Sequence, residues 1–141
     1  MNPSLPIALV ALLGAAVSSV WGAPPAAARP EPLPTAFRCS GNEPFWGLAV
    51  EGGQATYSAM GEGERKLEGS VRSLDWAGTF VFRGSAGDED PWVAVIERRA
   101  CVDTMAEAEE GGGELPFTVV LSLPDGEART GCCRPMPRAM E

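Results

Sequence analysis

The chain has 141 residues, four cysteines and no histidine, and its 11 basic and 19 acidic side chains give a formal net charge of −8. Without imidazole, every catalytic triad or dyad built on histidine is excluded. An acidic surface repels phosphate backbones and anionic headgroups, which argues against nucleic-acid and peripheral membrane binding and suits a basic protein partner better.

An apolar run, Leu5–Val17, opens the chain. It is shorter than the ~20 residues that a bilayer-crossing helix needs. Small residues follow, and Ala26-Ala27-Ala28 ahead of Arg29 offers a signal-peptidase site, with Gly22 a second candidate. Residues 1–28 therefore read as a signal peptide; an uncleaved anchor is the alternative, because Met1–Ser4 carries no Lys or Arg. Residues 29–35 are a Pro-rich tether, 36–134 form one domain, and 135–141 are a Pro-broken flexible tail.

Within the domain the signals are those of strands, short β-branched and aromatic runs punctuated by Gly, Asp and Pro. Phe45–Val50 ends at Glu51-Gly52-Gly53, and Gln54–Met60 ends at Gly61-Glu62-Gly63. Arg65–Ser73 sets Leu67, Gly69 and Val71 on one face, and Thr79–Arg83 and Trp92–Ile96 flank the polar loop Gly84–Asp90. Cys101–Ala108 is the single helical candidate, with Asp103 as a structural cap for free backbone N–H groups, and Glu109–Glu114 follows as an acidic, Gly-rich loop. Phe117–Leu123 and Glu127–Cys133 flank Pro124-Asp125-Gly126, a strong turn signal. The fold class is mainly β: a small antiparallel barrel or sandwich of about seven to eight short strands, with one short helix and two disulfides.

An even cysteine count behind an export leader reads as a disulfide framework. Bridging the neighbours Cys132 and Cys133 would make a strained ring, so each pairs with Cys39 or Cys101. In a strand their side chains point to opposite faces, so one bridge lies inside and the other ties down an outer segment. Cys101–Cys132 with Cys39–Cys133 is the preferred arrangement of the two. The alternative is a soft-metal or thiol-redox site of Cys101, Cys132 and Cys133, helped by Met105 or Met136; the lack of histidine and of Cys-x-x-Cys spacing speaks against it.

Gly41-Asn42-Glu43-Pro44-Phe45-Trp46 is the most distinctive run. Either its aromatics Phe45 and Trp46 plug one end of the barrel, or Asn42, Glu43, Phe45 and Trp46 together with Trp92 line a binding rim. A small carboxylate hydrolase is a further alternative, but Glu62/Glu64, Asp88/Glu89/Asp90 and Glu107/Glu109/Glu110 sit in Gly-rich loops that hold catalytic groups loosely. Asp88-Glu89-Asp90 is likewise a weak Ca²⁺ signal.

The order Gly41-Asn42-Glu43-Pro44-Phe45-Trp46, Cys101-Val102-Asp103-Thr104-Met105, Leu115-Pro116-Phe117-Thr118-Val119 and Gly131-Cys132-Cys133 resembles a family of small bacterial envelope proteins and lipoproteins to which no activity is attached. The resemblance spans about Phe37 to Arg134; those relatives carry Ser-Gly after the methionine of the middle motif, where this chain has Ala106-Glu107-Ala108. At the level of fold alone the design is similar to periplasmic lysozyme inhibitors and to META-type domains. The expectation is a monomeric, periplasmic or secreted interaction module without catalytic residues, metal or cofactor. Its partner is an envelope or basic protein, a lysozyme-type enzyme being one candidate.

Overall fold

The computed structural model describes residues 33–74, 78–103 and 113–137. The strands in chain order are β1 (Ala36–Asn42), β2 (Phe45–Glu51), β3 (Gln54–Ala59), β4 (Gly63–Leu74), β5 (Thr79–Ser85), β6 (Trp92–Glu97), β7 (Cys101–Val102), β8 (Glu114–Leu115), β9 (Phe117–Ser122) and β10 (Ala128–Pro135). Eight of them close into a barrel in the order β1-β10-β9-β6-β5-β4-β3-β2, while β7 and β8 form a separate two-stranded ladder. Every neighbouring pair is antiparallel, so successive connections alternate between the two ends of the barrel.

Period-two alternation puts one face of each strand inside. Phe37 and Cys39, Trp46 with Leu48 and Val50, Ala55 and Tyr57, Phe80 and Phe82, Trp92 with Ala94 and Ile96, and Phe117 with Val119 and Leu121 all face inward and are buried. Eight strands leave an interior that side chains just fill. Phe37, Phe80 and Phe117 pack together at one end, with ring centroids 5.0–6.0 Å apart. Trp46, Tyr57 and Trp92 fill the other, the Tyr57 and Trp92 centroids lying 4.7 Å apart. Burying rings of this size stabilises by roughly 2–3 kcal/mol each, so the two aromatic clusters dominate the core.

Space for the Trp46 indole comes from two inward positions without side chains. A Cβ at Gly41 would overlap Trp46 Nε1, and one at Gly131 would press on its Cζ2 at 3.0 Å. Glycine also makes the tight turns: Gly52 and Gly126 have φ of 63° and 87°, a region open to glycine at little cost.

The disulfides follow the alternation. Cys39 and Cys133 are partners in the β1–β10 register and are bridged inside the barrel, joining the first and last strands. Cys132 faces outward and is bridged to Cys101, holding the β7–β8 flap against the outside of β10.

Two sequence expectations need correction. Cys101 and Val102 are extended and pair with Leu115 and Glu114, so no helix begins there; residues 104–108 lie outside the described residues. The Asp103 N–H donates to the Gly113 carbonyl at 2.6 Å, closing the flap, and the backbone N–H groups that Asp103 was expected to cap lie outside the described residues. Glu114, expected in a loop, belongs to β8.

Candidate functional site

The up-and-down order sends four connections to the same end: β1–β2, β3–β4, β5–β6 and β9–β10. Their turn residues include Glu43, Glu62, Asp88, Glu89, Asp90, Asp125 and Glu127, all exposed. Among the described residues, two basic side chains answer them there. Arg65 pairs with Glu89 at 2.9 Å and Arg129 with Glu127 at 2.7 Å. The remaining five carboxylates have no ion-pair partner among the described residues. Acids that are scattered along the sequence are thus gathered into one negative rim.

Two large apolar side chains stand in this rim. Phe45 is 43% and Met60 75% exposed, and the two are held side by side by a hydrogen bond from the Met60 N–H to the Phe45 carbonyl at 3.2 Å. Together with Ala59 and Ser58 they border a shallow hollow.

The rim residues expected from sequence divide. Glu43 and Phe45 are exposed, and Glu43 lies in the β1–β2 turn with a cis peptide bond to Pro44. Trp46 and Trp92 are only 5% and 3% exposed; they plug the barrel beneath the rim rather than lining it, because their strand positions share the inward face with Leu48 and Ala94. Asn42 is half-buried and faces outward, where its Nδ2 donates to Asp103 Oδ1 at 2.9 Å. That contact joins the distinctive run near the start of the domain to the flap, so both residues act in positioning.

Arg129 is a residue that sequence reasoning passed over. Its register partner is Leu121, an inward position, so the guanidinium enters the barrel mouth near the Tyr57 hydroxyl. Burial pushes the Tyr57 phenol above its ordinary value and the Glu62 charge adds to this, while Arg129 opposes the shift. The Glu127 carboxylate raises Arg129 further, which keeps this cation charged at every accessible pH. An arginine between Ala128 and Thr130 looks like an ordinary surface residue until the strand's facing is known.

All four cysteines are in disulfides, so a soft-metal or redox site would first need a bridge reduced. Among the described residues no cluster of three or more His, Cys, Asp or Glu is arranged to hold a metal ion. The carboxylates of Asp88, Glu89 and Asp90 project from a turn, with Glu89 held by Arg65. Comparison with protein-family models, with curated proteins and with solved structures yields no match to this chain.

Proposed function

We propose that this chain is an exported, non-catalytic binding module of the bacterial cell envelope, which engages a basic protein through the hairpin end of its barrel. The carrying observation is the convergence of seven carboxylates from four turns around the exposed pair Phe45 and Met60. An apolar centre within a charged rim is the usual anatomy of a protein contact, and uncompensated charge of one sign steers an oppositely charged partner into it. Export is supported by two disulfides in a domain of this size, since such bridges persist in oxidising compartments.

The test uses a lysozyme-type enzyme as a basic probe. Binding is expected to weaken steeply with salt, and to be lost when Glu62→Lys, Asp88→Lys and Asp90→Lys are combined. Phe45→Ala should weaken it at an unchanged salt dependence. Binding that ignores all of these changes would remove the hairpin end as the contact, and recovery of reduced, folded protein from cytosol would remove export.

A further inference from the structure

The outer wall of the barrel carries a second feature, which runs from beside the hairpin end along strands β1 to β3. Strands β1, β2 and β3 face outward with Ser40, Gly47, Ala49, Thr56 and Ser58, all small, and form the floor of a groove of about 690 Å³. Leu115 and Asp103 of the flap stand over one side, and Glu64 of β4 over the other. This volume falls in the range of small-molecule sites, about 300–1,000 Å³.

The charges in the groove are unusual for an acidic molecule. Arg38 and Arg134 are direct partners across β1–β10, in a register shared with the neighbouring Cys39–Cys133 bridge. Like charges opposite one another on a sheet are unfavourable. Neither arginine has an ion-pair partner among the described residues, and the same row continues through Ala49 and Thr56 to Lys66. Two adjacent guanidinium forks suit a planar oxyanion that accepts parallel hydrogen bonds, foremost a carboxylate.

The floor narrows the class further. Ser40, Thr56 and Ser58 offer hydroxyls, the bare backbone at Gly47 permits close approach, and the Glu64 carboxylate accepts hydrogen bonds from donors. No aromatic side chain lines the groove. A highly charged polyanion is disfavoured by the overall −8, whereas a ligand with isolated carboxylates among many hydroxyls is not. We infer that the groove binds a carboxylated saccharide, its acid group on Arg38 and Arg134 and its hydroxyls over Ser40, Gly47 and Ser58. This goes beyond the contact proposed for the hairpin end and uses neither its carboxylates nor Phe45 or Met60, although Gly47 and Ser58 border both hollows.

Titration of the full, oxidised chain by amide NMR tests the inference, with trigalacturonic acid, its uncharged methyl ester and inorganic phosphate as probes. The acid should shift the amides of Ser40, Gly47 and Ser58, and should bind roughly tenfold or more tightly than the ester or phosphate. Arg38→Ala and Arg134→Ala should each weaken it about tenfold, while Arg83→Ala, on the outer face of β5, leaves it unchanged. Ala49→Trp fills the floor with a strand-favouring residue and should abolish binding with both disulfides intact. No binding of the acid, equal binding of acid and ester, phosphate binding as tight as the acid, or indifference to the two arginines or to Ala49→Trp would each overturn it.

Discussion

At Gly131 an added Cβ would overlap the Ser40 carbonyl oxygen, which belongs to the backbone of β1 and cannot step aside. Gly131→Ala should therefore destabilise the barrel by about 2–3 kcal/mol, the scale of overpacking in a filled core, as measured by urea denaturation. Gly41→Ala is different in kind, since two of its three nearest obstacles are indole atoms of Trp46. Adding Trp46→Phe should recover part of the loss at Gly41 and little at Gly131. Tyr57 gives a second residue-level test, being the sole tyrosine of the chain. Its phenol is held above the ordinary value chiefly by burial, so the native state favours the protonated form. Stability from this group is complete below the unfolded phenol value near 10 and falls as pH rises through the native one. Phenolate absorbance after a stopped-flow jump to alkaline pH should appear with unfolding and not before it; immediate ionisation of the native barrel would contradict a buried Tyr57.

Among the elements, β10 bears the most distinct duties: it closes the barrel, carries both halves of the Cys132/Cys133 pair and presents Arg129 inward and Arg134 outward. Replacing Arg134 by Thr removes a like-charge pairing and adds a β-branched residue, so it should raise stability by about 0.2–1 kcal/mol, read as a higher denaturation midpoint. A structural role for Arg134 would give the opposite sign. Removing Cys101–Cys132 as the double alanine variant frees the flap and opens a 31-residue separation, against 94 for Cys39–Cys133. The entropy argument assigns them about 3.7 and 4.7 kcal/mol. Hydrogen exchange should then show β7 and β8 losing protection while the eight barrel strands keep theirs.

The same elements show what could be read in advance. β2, β3, β5, β6 and β9 alternate large apolar with small or polar residues, and each was legible within a residue or two. β1 was fainter, because its inward positions are Phe37, Cys39 and Gly41, and the last is empty so that Trp46 can fit. The two-residue strands of the flap have no periodicity to detect, and a start such as Cys101-Val102-Asp103 satisfies helix signals equally well. Cys132 and Cys133 announced their opposite facing through adjacency alone. The rim was half legible: Glu43 and Phe45 reach the surface, but whether Trp46 faces in or out depends on its sharing a side with Leu48 and Val50.

For the molecule as a whole, the distribution of charge matters more than its sum. Seven carboxylates occupy one end, and Arg38, Arg98, Arg99 and Arg134 lie toward the other, Arg98 over the Phe117 ring at 5.4 Å from its centroid. None of this is visible in composition, since it requires the strand order that places four turns together. Association with a basic partner should be fast and strongly slowed by salt, with the change in the association rather than the dissociation rate. Stopped-flow binding at several ionic strengths measures it, and salt acting mainly on dissociation would argue for a contact elsewhere.

The junction of β1 with β10 has one more implication. Ala36 and Met136 are hydrogen-bonded neighbours, the Met136 N–H donating to the Ala36 carbonyl at 2.9 Å, and a covalent sulfur bridge already spans the same two strands. Residues 36 and 136 are thus close enough to be joined directly, with the bridge already holding the two strands together. A circular permutant that links residues 36 and 136 through a few glycines and starts afresh within the Gly87 turn should fold and oxidise like the parent.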